Sequence, residues 1–358
     1  MIKLLTVIGA RPQFIKSAMI SRAVRSADDI QEVVVHTGQH FDPNMSDVFF
    51  DELQMERPAY NLGIGGGTNG QNTGRMLEAI ERVILDESPT AVVVYGDTDS
   101  TLAGALAAAK LCVPVVHVEA GLRSYNMRMP EEVNRRLTDH ISSLLLAPND
   151  NAVSILRGEG LAHSIIRNIG DVMFDAALHF GKLAQLRSGI LARLGLQPGA
   201  YILATVHRQE NTDDRGRLGR LISAFAASPF TVVLPLHPRT RKRLDEFGIT
   251  LPTNVLSTQP LGYLDMVMLE KNARMIATDS GGVQKEAYFH SVPCLTLRTE
   301  TEWPELVDMG WNRLLSPDSE NLAQAFLIDY ETGRLGSGPY GDGDAAGHAV
   351  REIKATLG

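Results

Sequence analysis

The chain has 358 residues, 44% of them hydrophobic, which is enough for two domains that each bury a core. Lysine and arginine total 34 against 42 acidic residues, a formal net charge of -8, so nucleic acid is not expected as a general partner. No apolar segment approaches the length that spans a bilayer, and MIKLLTVIGARPQ lacks the small-residue cleavage site of a signal peptide, so we expect no membrane partner.

Short apolar runs rich in β-branched residues alternate with helical segments along the whole chain. Runs of this kind, without polar alternation, are typical of strands that are buried on both faces of a parallel sheet. The pattern therefore predicts a doubly wound α/β fold. In chain order the predicted strands are KLLTVIG, EVVVHTG, AVVVYGD, VPVVHVEA, LLLAP, IIRNIG, YILATVH, FTVVLPLH, NVLSTQ, ARMIATD and VPCLTLR.

So many strands exceed one sheet, and the chain offers a division near residues 170 to 200, where a helical segment is followed by a polar loop that contains Pro198 and Gly199. We therefore predict two Rossmann-like domains that face a cleft. The tail after GSGPYGDGDA ends in a helical segment, HAVREIKATL, whose place in the fold the pattern alone leaves open.

Polar residues that follow the strands are the first candidates for a site, because ligands of open parallel sheets lie beyond the carboxyl ends of the strands. GARPQFIK places Arg11 and Lys16 beside a helix N-terminus, where two cations can clamp a phosphate; the alternative is a solvated turn. Asp97 and Glu119 each follow a strand, and Glu131 opens a helix in MPEEVNRR. Carboxylates assembled in this way can move protons, although acids in a first helical turn also serve as dipole partners alone.

The second half of the chain carries a further set of polar strand ends. His207 follows a strand in ATVHRQEN, and His237 opens a basic segment in PLHPRTRKR; a structural histidine and a solvated face are the respective alternatives. TDSGGVQKEA has two glycines after Ser280 and a helix that carries Glu286. Adjacent glycines let the backbone approach a ligand closely, and N–H groups at a helix start attract an anion, so this stretch predicts a phosphate site.

Other patterns predict neither a cofactor nor a metal. The loop NLGIGGGTNGQ has GxGxxG spacing at Gly65, Gly67 and Gly70, but it follows no buried strand of the first βα unit and is interpreted as a loop. Cys112 and Cys294 lie far apart without metal-ligand spacing, which favours free thiols in a reducing compartment, and hence the cytoplasm.

Together these motifs resemble a known family. The order and spacing found in the non-hydrolysing bacterial UDP-N-acetylglucosamine 2-epimerases are matched by GARPQFIK, TGQH, YGDTDSTLAG, HVEAGLRS, PEEVNRRLTDH, VHRQEN, TDSGGVQKEA and TEWPE. The resemblance covers nearly the whole chain and implies the two-domain GT-B fold, in which a C-terminal helix crosses back onto the first domain. It assigns residues 1–170 and about 343–358 to a domain with the acid and base groups, and residues 171–342 to a UDP-binding domain.

The resemblance also implies a reaction, in which UDP-GlcNAc and UDP-ManNAc are interconverted for cell-surface polysaccharide precursors. UDP is eliminated in the anti sense to give a 2-acetamidoglucal and is then added back on the opposite face, with no cofactor. Asp97, Glu119 and Glu131 become the acid and base candidates, and His207 is placed beside the departing UDP. The implied substrate-binding residues are Arg11, Lys16, Arg135, His237, Ser280, Gly281, Gly282 and Glu286, the last on the ribose. The family further implies a homodimer, and Gln39 and His40 match a motif that some members use for activation by a second substrate molecule.

The chain departs from the family's usual GTRPE and TERPE at Gln13 and Trp303, so a carboxylate and a guanidinium are missing where sugar recognition is expected. A related subgroup acts on UDP-2,3-diacetamido-2,3-dideoxy-glucuronate, and that substrate is the first alternative. A GT-B glycosyltransferase with the same nucleotide site is the second. A hydrolysing 2-epimerase is disfavoured by GARPQ and TGQH, and a non-catalytic sugar-nucleotide sensor by the retained acids.

Overall fold

The structure is a computed structural model that describes residues 1–39, 50–161, 164–328 and 338–358. Its described strands form two sheets, and every neighbouring pair is parallel. The first sheet contains β1 (Ile2–Ile8), β2 (Ile30–His36), β3 (Tyr60–Asn61), β4 (Ala91–Tyr95), β5 (Val115–Val118), β6 (Leu144–Ala147) and β7 (Ile165–Asn168). The second contains β8 (Tyr201–Thr205), β9 (Thr231–Pro235), β10 (Val255–Thr258), β11 (Met275–Thr278), β12 (Cys294–Thr296) and β13 (Asn312–Leu314).

Helices alternate with these strands, which confirms the predicted α/β class. Those with both ends in the described ranges are α1 (Arg11–Arg25), α2 (Asn69–Glu87), α3 (Asp99–Lys110), α4 (Pro130–Ile141), α5 (Asp150–Gly158), α6 (Val172–Arg187), α7 (Ile190–Arg193), α8 (Gln209–Thr212), α9 (Arg215–Ala227), α10 (Pro238–Phe247), α11 (Tyr263–Asn272), α12 (Gly281–Phe289), α13 (Pro304–Asp308) and α14 (Ala345–Leu357). No helix in these ranges has the length and apolarity needed to cross a membrane.

The strand order of both sheets reverses beside the first strand of each. The first sheet runs β3-β2-β1-β4-β5-β6-β7, and the second runs β10-β9-β8-β11-β12-β13. Such a reversal opens a crevice at the carboxyl ends of the two strands that flank it, where doubly wound sheets bind their ligands. A ligand site is therefore expected at the segments after β1 and β4, and after β8 and β11.

The burial of the central strands explains why the apolar runs predicted them. All five residues of β4 are buried, as are those of β5 and β6, so each strand is covered on both faces. All the predicted strands are present. The apolar-run criterion missed β3 and β13, which are edge strands of two and three residues without such a run.

Contacts within the chain define two units, Met1–Ala176 with Ser337–Gly358, and Ala177–Gly336. The helix α14 packs on α1 within the first unit, as the predicted return of the C-terminal helix requires. Asp175 fixes its start, because its carboxylate accepts hydrogen bonds from the backbone N–H groups of Ala345 (3.0 Å) and Ala346 (2.8 Å). An ion pair between Arg167 and Glu352 (2.9 Å) adds a contact further along α14.

Candidate active site

The turn after β1 is held by the buried side chain of Gln13. Its Oε1 accepts hydrogen bonds from the N–H groups of Gly9 (2.8 Å) and Ala10 (3.0 Å). Its Nε2 donates to the carbonyl of Tyr95 and to the hydroxyl of Thr101, both at 2.9 Å. Gln13, which stands where the family usually has Glu, therefore connects β1 to β4 in the protein interior. These contacts give no support to the expected effect on sugar recognition.

Two predicted site residues meet at the strand ends, where Lys16 of α1 forms an ion pair with Glu119 after β5. The two side chains are 8% and 12% exposed, so little water screens the pair. Glu119 has a φ of 69°, a left-handed conformation that costs a residue with a Cβ roughly 1–2 kcal/mol. Strained residues of this kind cluster at functional sites. Arg11, the first residue of α1, is half-buried at the same turn.

A second pair joins Asp97, after β4, to Arg135 of α4. The guanidinium also contacts the carboxylate of Glu132 at 3.1 Å, and that carboxylate is buried and accepts the N–H of Ser124 at 2.8 Å. Arg135 therefore bridges Asp97 and Glu132 within the chain, and its predicted contact with UDP stays a prediction. Glu131 lies in the first turn of α4, where it is exposed beside the buried Glu132.

A buried charge cluster that the sequence analysis missed lies behind these acids. His117 donates from Nε2 to the carbonyl of Gly96 (2.7 Å), while its Nδ1 contacts Asp139 (2.7 Å). Arg123 donates to Asp139 (2.7 Å) and to both carboxylate oxygens of Glu159 (2.8 and 2.7 Å). The Arg123 hydrogen bond lowers the pKa of Glu159 to about 2. This cluster connects the three elements that carry the predicted acids, β4, β5 and α4.

The possible effector residue Gln39 belongs to the same strand-end region. Its Oε1 accepts the N–H (3.1 Å) and the hydroxyl (2.6 Å) of Ser100 in the first turn of α3. The hydroxyls of Ser100 and Thr37 lie 2.8 Å apart and fill the space beside Gly9, where a Cβ would approach each hydroxyl oxygen to within 2.2 Å. His40, its predicted companion, lies outside the described residues.

In the second unit, the buried carboxylate of Asp279 accepts several hydrogen bonds from the segment after β8. It accepts the N–H of His207 (3.0 Å) and of Arg208 (3.0 Å), and the side-chain amide of Asn211 (3.0 Å). Burial would raise the pKa of Asp279, but the hydrogen bond with His207 and the further donors lower it overall. The rings of His207 and His237 lie 5.7 Å apart, centroid to centroid, so these two predicted residues are neighbours.

The predicted phosphate-binding turn directly follows Asp279. Ser280 is the N-cap of α12, and its side chain makes no capping hydrogen bond within the described chain. The N–H groups that open the helix are thus available to a ligand, and Gly281 and Gly282 leave room for its approach. Glu286 lies one turn further along α12 and is buried. The structure therefore brings four of the predicted UDP-binding residues together at the end of β11.

Trp303, the second departure from the family motif, packs against this turn. Its indole N–H donates to the carbonyl of Gly281 at 3.0 Å, and the ammonium of Lys285 lies 4.1 Å from the ring centroid. The neighbouring Glu302 contacts Arg298 at 2.7 and 3.0 Å. Burial opposes ionisation of Glu302, yet the hydrogen bond from Arg298 lowers its pKa to about 2. A cation is thus still present beside the turn, supplied by Lys285.

Known proteins are similar to this chain over most of its length. A family model described as UDP-N-acetylglucosamine 2-epimerase matches residues 22–354. The UDP-2,3-diacetamido-2,3-dideoxy-D-glucuronate 2-epimerase of Pseudomonas aeruginosa is 50% identical over 328 residues, 90% of this chain and 91% of that protein. A UDP-N-acetylglucosamine 2-epimerase of Methanocaldococcus jannaschii is 44% identical over 359 residues, 98% of each chain.

The solved structures agree with the sequence comparison. The crystal structure of Methanocaldococcus jannaschii UDP-GlcNAc 2-epimerase in complex with UDP-GlcNAc and UDP is similar with a TM-score of 0.91 and 42% identity. The match covers 99% of this chain and 100% of that one, so both sheets are included. The motifs, the two parallel sheets and these similarities lead to one conclusion: the chain belongs to the UDP-N-acetylglucosamine 2-epimerase family.

Proposed function

We propose that this protein interconverts UDP-N-acetylglucosamine and UDP-N-acetylmannosamine by eliminating UDP and adding it back. Family membership supports the reaction class. The observation that carries the proposal is the pairing of an acid with a cation at the ends of two neighbouring strands. These are Asp97 with Arg135 after β4 and Glu119 with Lys16 after β5.

The chemistry requires proton transfer on both faces of the sugar. A base removes the C2 proton while the C1–O bond to UDP breaks and a C1=C2 double bond forms, which gives the 2-acetamidoglucal. In the return step a diphosphate oxygen of UDP attacks C1, and an acid delivers a proton to the opposite face of C2. We assign these tasks to Asp97, Glu119 and Glu131. Lys16 and Arg135 support the assignment because each holds one of these carboxylates in a fixed orientation.

We assign UDP to the second unit. The N–H groups at Gly281 and Gly282 suit the diphosphate, because a helix N-terminus attracts anions; the Ser280 N–H already donates to the Thr278 hydroxyl (2.9 Å), so we assign the Ser280 hydroxyl to the nucleotide. Glu286 accepts hydrogen bonds only, which suits the two ribose hydroxyls. We assign to His207 the stabilisation of the negative charge that develops on departing UDP. The remaining predicted substrate contacts are Arg11, Lys16, Arg135 and His237.

A second substrate has support of its own. The Pseudomonas aeruginosa relative that acts on the diacetamido-glucuronate nucleotide is 50% identical to this chain, against 44% for the Methanocaldococcus jannaschii UDP-N-acetylglucosamine 2-epimerase. Both substrates present the same C2 proton and the same UDP leaving group. They differ at C3 and C6, so the acid and base assignment holds for either sugar.

Proton NMR of the purified protein in deuterated water tests the proposal with each UDP-sugar in turn. We expect loss of the C2 proton of UDP-N-acetylglucosamine and a new anomeric signal from UDP-N-acetylmannosamine. Turnover of the diacetamido-glucuronate nucleotide alone would select the second substrate, and accumulation of free sugar would identify a hydrolysing enzyme. An unchanged spectrum with both nucleotides would refute the proposal.

A pair of matched variants ties the activity to the site. Glu119→Gln should lower kcat by about 100-fold or more, since it removes a proton-transfer group. Glu78→Gln makes the same change on the exposed face of α2, where Glu78 pairs with Arg82, and should leave turnover unchanged. Equal activity of both variants would remove Glu119 from the mechanism.

We further propose a cytoplasmic homodimer. The free thiols Cys112 and Cys294 are in keeping with a reducing compartment. Light scattering of the purified protein should give twice the chain mass of 39.0 kDa, and a mass of one chain would contradict the dimer.

A further inference from the structure

Asp279 is placed to control the chemistry of His207. It follows β11 directly, is fully buried, and stands one residue before the N-cap of α12. Besides the backbone N–H groups and the Asn211 amide, it contacts the imidazole itself: Nδ1 of His207 lies 3.2 Å from Oδ1 of Asp279. One carboxylate thus connects the loop after β8 to the turn after β11.

The donors around Asp279 determine which nitrogen of His207 carries the proton. A carboxylate in contact with so many N–H donors remains ionised and accepts hydrogen bonds only. Nδ1 of His207 must therefore hold a proton to make its contact. Nε2 lies on the opposite edge of the ring, and the side chain is 41% exposed, so this second nitrogen remains available for other partners.

We propose that Asp279 is a positioning residue that keeps the proton of neutral His207 on Nδ1 and orients Nε2 toward the diphosphate of the nucleotide. The inference rests on the proposed function. In the elimination step, protonated His207 donates Nε2–H to the β-phosphate oxygen on which negative charge develops, and in the return step neutral Nε2 takes the hydrogen back. The anionic Asp279 keeps the imidazole in this orientation through its contact with Nδ1.

Asp279 also holds the loop after β8 against the turn that precedes α12. Asp279 holds the backbone of His207 and Arg208 through their N–H groups, while its own backbone leads into Ser280 and the N–H groups of α12. The imidazole and the helix N-terminus are therefore fixed by the same residue. Such an arrangement suits a leaving group that must be stabilised on departure and retained for the return step.

The first test is a spectroscopic one on the unaltered protein. Two-bond 1H–15N correlation spectra of the full chain with 15N-labelled histidine distinguish the two neutral tautomers, and a His207→Asn variant identifies the signal. We expect the Nδ1–H tautomer for neutral His207. The Nε2–H tautomer would overturn the proposal, whatever the activity of the protein.

The second test is Asp279→Asn beside a matched control. The amide oxygen can still accept the backbone N–H groups, but the amide NH2 then faces Nδ1 and forces the proton onto Nε2. We expect the tautomer to change and kcat for UDP-N-acetylglucosamine to fall by about 100-fold or more, with KM and the Kd for UDP within about threefold of the original. Asp213→Asn removes a carboxylate that pairs with Arg239 and Arg243 at the surface of the same unit, and it should change none of these quantities.

The outcomes separate this inference from the proposed function. If unaltered protein binds UDP but turns over neither nucleotide, the proposed function fails, while the tautomer of His207 still decides the role of Asp279. An Asp279→Asn variant that loses thermal stability but keeps kcat would show a purely structural role and overturn the inference. If this variant does not fold, the tautomer in the unaltered protein alone supports or overturns the inference.

Discussion

Replacing Gln13 should destabilise the protein more than replacing an exposed glutamine, because its side chain accepts hydrogen bonds from buried backbone N–H groups that have no second acceptor in the described part of the chain. Gln13→Ala removes the acceptor of two buried N–H groups, at Gly9 and Ala10. The carbonyl of Tyr95 keeps one donor, the hydroxyl of Thr101 at 2.7 Å, so it contributes little to the loss. The loss of stability in Gln13→Ala therefore comes mainly from the N–H groups of Gly9 and Ala10.

A buried polar group that loses its only partner costs about 1–3 kcal/mol, so two give a loss of about 2–6 kcal/mol in the free energy of unfolding. For domains of this size each kcal/mol lowers Tm by about 2–4 °C, and a loss of about 3 kcal/mol lowers it by about 6–12 °C. Differential scanning calorimetry at neutral pH measures the shift. Gln31→Ala, at an exposed position of β2, is the control and should change Tm by less than about 2 °C.

The variant Gln13→Glu tests the same geometry through pH. An ionised carboxylate would place an oxygen where Nε2 now donates to Tyr95, so the folded protein should bind a proton and raise the pKa of the introduced carboxyl group above its unfolded value. Stability conferred by such a group is fully present below the unfolded pKa and is lost as pH rises through the folded pKa. We therefore expect a lower Tm at pH 8 than at pH 5 relative to the parent. A Gln13→Ala shift of less than about 3 °C, or a Gln13→Glu variant without this pH dependence, would refute the reasoning.

Three further predictions concern other contacts. Arg135→Lys replaces a guanidinium that bridges two carboxylates with a single ammonium, so kcat should fall about tenfold or more while the Kd for UDP by calorimetry stays unchanged; weaker UDP binding would instead support the predicted nucleotide contact of Arg135. Trp303→Arg places a second cation beside Lys285 and should lower both Tm and UDP affinity, whereas Trp303→Phe keeps the cation–π contact and should lower them less; equal effects would contradict this explanation. Burial raises the pKa of Asp175 from 3.8 to about 6, so its stabilising contribution is complete below pH 3.8 and is lost as pH rises through 6. Urea unfolding at pH 5 and pH 7 should show a decrease of about 1 kcal/mol from this group, and an Asp175→Asn variant with the same pH slope would contradict its assignment to Asp175.

Most of the fold could be predicted from the sequence because its central strands are buried on both faces. A run such as AVVVY has no polar alternation, so neither its type nor its place in a parallel sheet is ambiguous. The strands β3 and β13 gave no such signal, since an edge strand of two or three residues needs only a few hydrogen bonds to its single neighbour. Their existence depends on β2 and β12, and no local property of YN or NRL predicts it.

The candidate site was predicted as a set of strand-end residues but not as a set of contacts. Position after a strand identified Asp97, Glu119 and His207, because a parallel sheet brings its carboxyl ends to one edge. The partners could not be derived in the same way. Asp97 and Arg135 are 38 residues apart in the chain, and His207 and Asp279 are 72 apart, so only the folded backbone brings them together. Motif membership alone also did not predict that Arg135 contacts both Asp97 and Glu132 within the chain.

The return of α14 to the first unit has a consequence for biosynthesis. The second unit is one continuous stretch of chain, whereas the first is completed only when Ala345–Leu357 has left the ribosome and covers α1. Synthesis proceeds at about 5–20 residues per second. For many seconds, the surface of α1 that α14 later covers is therefore exposed to other chains. Gly358 and Ile2 of β1 are neighbours, since a Cβ at Gly358 would lie 3.9 Å from Cδ1 of Ile2. In a circular permutant that starts with α14, the first unit would emerge complete and the second would follow it.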